Sequence, residues 1–128
     1  MITLLADHNI EGQAALLWAT LTTEDRIDLI LMRLARFEDT GLARDSTDQE
    51  VWHLVQHQGM LSLTANRNMD GEDSLEQTIR RENTPQALPI ITISKIDQMV
   101  EASYRIRCAT RLAEIVLYLP DYLGTGRL

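Results

Sequence analysis

Blocks of apolar residues alternate with amphipathic blocks along the chain, and this pattern predicts strands and helices in turn. The short apolar runs that predict buried strands are residues 2–6, 31–37, 60–64 and 88–93. The runs that predict helices are residues 11–20, 48–58, 74–82 and 94–119. Strands that alternate with helices favour a parallel sheet with helices on both faces. The pattern therefore predicts an α/β fold, with a mainly parallel central sheet of about four strands, as a single domain over residues 1–128.

Capping and stop residues refine these boundaries. Thr47 followed by Glu50 is a capping-box pattern, and Gly59 is placed to end the same helix. Asn9 is a candidate N-cap for the first helix, and Ser74 or Asp73 for the third. The remaining boundaries rest on weaker patterns. Residues 22–25 suit a second helix cap. Residues 27–34 suit either a helix or a strand, and we assign a helix to about residue 29 and a strand over residues 31–37. Residues 37–42 are expected to be a loop, and residues 121–128 an irregular tail.

Composition limits the functional classes. The 128 residues are 45% apolar and 24% charged, and no apolar run approaches the roughly 18 residues that span a bilayer. The N-terminus lacks the basic segment of a signal peptide, so we expect a cytoplasmic protein without a membrane partner. The single cysteine, Cys108, excludes an intramolecular disulfide and is expected to be a packed thiol. The formal net charge of −7 argues against a general nucleic-acid binder but not against a nuclease with a carboxylate site.

Polar side chains follow two of the predicted strands at the point where each strand ends. Asp7 follows the first strand, and Asn66, Asn68 and Asp70 follow the third. Asp48 begins the helix before that third strand. Ligands of open parallel sheets bind beyond the carboxyl ends of the strands, and oxygen ligands suit Mg²⁺ or Mn²⁺. The same residues are also typical of helix caps and solvated turns, so both interpretations stay open.

Other chemistry has little support in the sequence. His53 and His57 have the spacing of a helical metal pair, but they lack the intervening glutamate of H-E-x-x-H sites, and we expect a solvated pair. Neither a nucleophile elbow nor a glycine-rich phosphate loop is found. Five arginines are candidates for a local basic surface, although solvated helix faces are the preferred interpretation. These arginines are Arg80, Arg81, Arg105, Arg107 and Arg111.

Four segments resemble a known family. Residues 4–10, LLADHNI, are similar to the LLADENI opening of small bacterial PIN-like proteins, a domain of unknown function in the PIN nuclease superfamily. Residues 46–52, STDQEVW, resemble their ASDEEIW helix start, and residues 59–64, GMLSLT, resemble their GRVLVT strand. Residues 66–75 resemble a subgroup with NRNxDGxDSLE. The resemblance covers the first half to two-thirds of the chain and implies a three-layer PIN-like fold.

The resemblance also implies a metal site and a ribonuclease activity. Asp7 matches the first acid of the family, Asp48 matches the second, and the family's T-x-D-x-D-F aligns with residues 64–69. Asn66 and Asn68 therefore replace two aspartates, and an amide oxygen carries no charge for a cation. Asp70 or Asp73, in the following loop, is the acid expected to compensate for them.

Two functions follow as hypotheses. The first is a toxin-like ribonuclease that depends on Mg²⁺ or Mn²⁺, with Asp7, Asp48 and Asp70 as catalytic residues and Asn66 as a further metal ligand. Asn9, Asn68 and Arg67 would then contact the RNA substrate. The second is an inactive PIN-like module that binds a partner. A third option without a ligand site is a structural dimer whose polar loop only solvates the sheet edge. Expected partners are RNA, an antitoxin or other protein, and a second copy of the chain.

Overall fold

A single parallel sheet forms the centre of the protein. The computed structural model describes residues 2–23, 32–65 and 74–128. The strands are β1 (Ile2–Ala6), β2 (Met32–Ala35), β3 (Leu61–Thr64) and β4 (Ile90–Thr92). Their order is β2-β1-β3-β4, and every neighbouring pair is parallel. The predicted α/β class, the number of strands and their parallel direction are confirmed.

Five α-helices surround the sheet in the part of the chain that the structure describes. They are α1 (Glu11–Thr23), α2 (Phe37–Thr40), α3 (Asp48–Gln58), α4 (Leu75–Glu82) and α5 (Ala102–Leu117). Short 3₁₀ segments occur at His8–Ile10, Ile96–Val100 and Leu119–Tyr122. The predicted helix over residues 48–58 is confirmed to the residue. The predicted helix over residues 94–119 is wrong at its start, because a 3₁₀ turn precedes α5.

The local chemistry of α3 explains why this helix was predicted well. Thr47 Oγ1 accepts a hydrogen bond from the Glu50 backbone N–H at 3.1 Å, and Glu50 Oε1 accepts one from the Thr47 N–H at 3.0 Å. These hydrogen bonds lower the pKa of Glu50 below its usual value. Gly59 ends the helix with a φ of 68°, a left-handed conformation that glycine adopts without steric cost. Both ends are therefore fixed by neighbouring residues.

Two hydrophobic cores lie on opposite faces of the sheet. Leu4 and Leu63 contribute to the core beneath α1 and α5, whereas Leu5 contributes to the core beneath α3 and α4. Side chains alternate between the faces of a strand, so the apolar runs serve both cores. The arrangement has helices on both faces of a central sheet, which is the expected three-layer organisation.

The last residues of the chain line the outer edge of β4. The Ile90 N–H donates to the Gly126 carbonyl at 2.9 Å, and the Thr92 N–H donates to the Leu128 carbonyl at 2.7 Å. The Leu128 N–H in turn donates a hydrogen bond to the Ile90 carbonyl at 2.8 Å. The expected irregular tail is therefore ordered against the sheet, where it covers the exposed hydrogen-bonding edge of a terminal strand.

Several smaller expectations change. Asn9 lies inside the 3₁₀ turn, and Asp7 occupies the position before it, so Asn9 is not the predicted N-cap. Residues 37–42, expected as a loop, include the short helix α2. Ser74 caps α4, with its Oγ accepting from the Gln77 N–H at 3.3 Å. The expected helix end near residue 29 and the polar loop at residues 66–73 lie outside the described residues.

None of the helices in the described ranges has the length and apolar character needed to cross a membrane.

Candidate functional site

The sheet order places a crevice at the carboxyl ends of β1 and β3. The chain leaves β1 toward β2 on one side, and leaves β3 toward β4 on the other. Connections that depart in opposite directions open a space between them, which is where open α/β sheets bind ligands. The residues at this position are Asp7, directly after β1, and Thr64, the last residue of β3.

Asp7 is tied to β3 by two hydrogen bonds. Its backbone N–H donates to the Leu63 carbonyl at 2.9 Å. Its Oδ2 accepts a hydrogen bond from the Thr64 hydroxyl at 2.9 Å, and Asp7 is half-buried. Within the described ranges, no Lys, Arg or His side chain forms an ion pair with Asp7. The crevice therefore presents a positioned carboxylate whose charge no nearby cation of these ranges neutralises.

Asp48 lies at the same edge of the sheet. It is the first residue of α3. Because α3 ends shortly before β3 begins, the helix runs back alongside the strand, and the start of α3 lies near the carboxyl end of β3. Asp48 Oδ2 accepts a hydrogen bond from the backbone N–H of Leu75 at 2.9 Å. Leu75 begins α4, and a carboxylate at a helix N-terminus is stabilising. Asp48 therefore has a structural role that joins the starts of two helices.

Two of the predicted metal ligands, Asp7 and Asp48, fall within the described residues. Asp7 and Asp48 both place a carboxylate at this edge, where Asp7 Oδ2 accepts from the Thr64 hydroxyl and Asp48 Oδ2 accepts from the Leu75 N–H. Within residues 2–23, 32–65 and 74–128, no three His, Cys, Asp or Glu side chains are close enough together to hold a metal ion. Asn66, Arg67, Asn68 and Asp70 lie outside these ranges. The two described carboxylates suit a divalent cation in their chemistry, but do not form a complete ligand set.

A cluster of polar side chains beside the crevice was not predicted from the sequence. A depression of about 290 Å³ is lined by His8, Glu11, Glu38 and Arg44 together with apolar neighbours. His8 Nδ1 is 3.7 Å from Glu11 Oε1, and Glu38 forms an ion pair with Arg36. The sequence contained a usable pattern, because Glu38 follows the second strand closely, much as Asp7 follows the first.

Asn9, a predicted RNA contact, is exposed beside Asp7. His53 Nε2 lies 2.8 Å from Glu82 Oε1, a contact that lowers the pKa of Glu82, so His53 is paired with a carboxylate rather than with His57.

The five arginines that were candidates for one basic surface are separated by the sheet. Arg80 and Arg81 belong to α4 and pair with Glu76 and Glu82. The other three belong to α5, on the opposite face of the sheet, and they are Arg105, Arg107 and Arg111. A single surface made of all five arginines is therefore not formed.

We compared the chain with protein-family models, curated proteins and solved structures, and none of the three comparisons gave a significant match.

Proposed function

We propose that this chain is a PIN-like protein that cleaves RNA with the help of Mg²⁺ or Mn²⁺, at a site centred on Asp7. The observation that carries the proposal is the position of Asp7 at the crevice between β1 and β3, hydrogen-bonded to Thr64 at 2.9 Å. A half-buried carboxylate without a paired cation in the described ranges favours binding of a positive ion. The resemblance of residues 4–10 and 46–52 to PIN-like proteins supports the same assignment.

Each proposed residue has a distinct task. Asp7 and Asp48 would hold the cation, and Asn66 and Asp70 would complete its ligands from the following loop. Asn9, Arg67 and Asn68 would contact the RNA. A bound divalent ion supplies charge neutralisation and water activation at a phosphodiester. The Thr64 hydroxyl fixes one oxygen of Asp7, and no hydrogen bond to the other oxygen occurs within the described residues. The proposed setting is the bacterial cytoplasm, with an antitoxin or a second copy of the chain as protein partner.

Substitution of Asp7 tests the proposal directly. Asp7→Asn keeps an acceptor for the Thr64 hydroxyl but removes the negative charge. We expect it to weaken Mn²⁺ binding, measured by calorimetry, on the order of tenfold or more. Cleavage of single-stranded RNA in the presence of Mn²⁺ should be lost together with binding.

Asp121→Asn is the matched control. It makes the same change of charge at an exposed position after α5, remote from the crevice. We expect it to bind Mn²⁺ and cleave RNA like the unmodified protein. Equal cleavage by the Asp7 variant and the unmodified protein would contradict the proposed site.

The second candidate function is a PIN-like module that binds a partner without catalysis. Asn66 and Asn68 favour it, because they stand where the resemblance expects two charged metal ligands. Calorimetry separates the two functions. Binding of Mn²⁺ in the micromolar range supports the nuclease, whereas no binding at millimolar Mn²⁺ supports the module.

A further inference from the structure

A second cavity lies between α5 and the sheet. Its volume is about 210 Å³, and its inner wall is made of apolar side chains from α1, β3, β4 and α5. Leu17, Leu63, Ile91 and Leu112 represent these four elements. A cavity of about 150 Å³ lined by apolar side chains is enough to hold benzene. The inner part of this cavity therefore has room for one aromatic ring or an aliphatic group of similar size.

Two guanidinium groups line the same cavity, and among the described lining residues they are the charged ones. Arg107 and Arg111 are exposed, whereas the apolar wall is buried, so the positive charge lies at the opening. Arg107 stacks over the Tyr104 ring at 5.5 Å, and Arg111 over the Tyr122 ring at 5.3 Å. Each guanidinium group is thus stabilised at the opening by an aromatic contact.

The charges of the two arginines are unequally compensated. Arg111 Nη1 lies 3.5 Å from Glu114 Oε1 and donates to the Tyr122 hydroxyl at 3.1 Å. For Arg107, the described residues provide no carboxylate within ion-pair distance. Arg107 and Arg111 are also one helical turn apart, where like charges repel each other. An anion at the opening would relieve this repulsion and pair with Arg107.

We propose that this cavity binds a small molecule with an apolar body and one anionic head, either a carboxylate or a phosphate. The body would occupy the apolar interior, and the head would lie at Arg107 and Arg111. Guanidinium groups bind both kinds of head by paired hydrogen bonds. The cavity lining among the described residues includes neither Asp7 nor Asp48, and the proposal does not depend on the proposed ribonuclease activity.

Cys108 offers a direct measurement of occupancy. It lines the cavity, is half-buried and is the only cysteine of the chain. A bound ligand should therefore slow its alkylation by iodoacetamide. Phenylacetate and phenyl phosphate are suitable probes, because each joins one aromatic ring to an anionic head. Phenylacetamide is the neutral control.

We expect phenylacetate or phenyl phosphate to slow the alkylation of Cys108, and phenylacetamide to have little effect at the same concentration. The more effective of the two anions identifies the preferred head. Arg107→Gln should weaken the binding of that anion about threefold to tenfold, measured by calorimetry. Arg80→Gln, an equal change of charge on the opposite face of the sheet, should leave it unchanged.

Two results would overturn the proposal. One is alkylation of Cys108 that neither anion slows at concentrations up to the solubility of the probe. The other is equal protection by phenylacetamide and the anions, which would remove the role of the arginines. Both comparisons use the unmodified protein, so they stand even if a variant fails to fold. The Asp7→Asn variant should bind the anion normally, which separates this site from the proposed metal site.

Discussion

Asp7 and Thr64 are separated by 57 positions in the sequence, yet their side chains share a hydrogen bond of 2.9 Å at the carboxyl edge of the sheet. This bond joins the end of β1 to the end of β3, at the place where the chain leaves the two strands in opposite directions. Thr64 is only 3% exposed, so its hydroxyl has little access to water as an alternative partner. The bond thus contributes both to the fold and to the orientation of the proposed ligand Asp7.

Thr64→Val tests this relationship, because valine has nearly the same shape but cannot donate a hydrogen bond. We expect it to lower the free energy of unfolding by about 1.5–3 kcal/mol, the usual net value of one hydrogen bond to a charged group. Thr64→Ser, which keeps the hydroxyl, should preserve the bond. Chemical denaturation measures the change, and Mn²⁺ calorimetry shows whether Asp7 has lost its orientation. Identical behaviour of the Val variant and the unmodified protein would show that the hydrogen bond contributes nothing measurable.

Asp48 should stabilise the start of α4. Asp48→Ala removes the acceptor for the Leu75 N–H, and we expect a loss of about 1 kcal/mol in the free energy of unfolding, as for other helix caps. Asp48→Asn retains an acceptor oxygen and should have a smaller effect. Asp45→Ala is the control, at an exposed position shortly before α3, and should change stability by less than about 0.5 kcal/mol. A loss as large for the control as for Asp48→Ala would contradict the assigned cap.

The Asn variant also separates the structural and metal roles of Asp48. If Asp48 acts only as a cap, Asp48→Asn should bind Mn²⁺ like the unmodified protein. If it is also a metal ligand, Mn²⁺ affinity should fall while stability is largely kept. Calorimetry and denaturation of the same preparation give both answers.

Gly124 should be intolerant of a side chain. Its φ is +84°, and a Cβ atom there would lie 2.9 Å from the Pro85 carbonyl oxygen. We expect Gly124→Ala to lower the free energy of unfolding by about 1–3 kcal/mol, because it combines backbone strain with a steric clash. Gly12→Ala is the opposite control, since Gly12 lies within α1 and has open space around it. Alanine there should raise stability by about 0.5–1 kcal/mol. Thermal denaturation of both variants measures the contrast.

The thiol of Cys108 should titrate above its usual range. Burial raises its pKa, and hydrogen bonding to Tyr104 and the positive charge of Arg107 oppose this only in part. Alkylation by iodoacetamide should therefore reach half its maximal rate at a higher pH in the native protein than in the denatured chain. Arg107→Gln should move the native midpoint higher still, because it removes a charge that favours the thiolate. Coincident native and denatured midpoints would contradict the raised pKa.

The same shift has a consequence for stability. A pKa that is higher in the folded than in the unfolded state means that the folded protein retains its proton longer. The contribution of Cys108 to the free energy of unfolding is complete below the pKa that its thiol has in the unfolded chain. It is lost as the pH rises through the pKa of the thiol in the folded protein. The free energy of unfolding should therefore fall in that interval, and Cys108→Ser should remove this part of the decline. Denaturation at a series of alkaline pH values provides the measurement.

The sequence alone determined the order of elements, because the information for each lies in neighbouring residues. The apolar runs located all four strands, and Thr47, Glu50 and Gly59 fixed both ends of α3 through contacts within one or two turns. The start of α5 was predicted less well. Residues 94–101 have an apolar spacing compatible with a helix, but Ile96–Val100 form a 3₁₀ turn instead. Periodicity alone does not distinguish these two geometries at a helix end.

Only the tertiary structure decided which distant residues meet. The sequence placed Asp7 and Asp48 near one edge of the sheet. It did not reveal that Asp7 accepts a hydrogen bond from the Thr64 hydroxyl, or that Asp48 accepts one from the Leu75 N–H. It also gave no indication that the tail pairs with β4, or that Arg107 and Arg111 open onto an apolar cavity. Such contacts depend on strand order and on the face that each helix covers. Those are set by the packing of the whole chain, whereas helix caps and apolar runs are set by residues close in sequence.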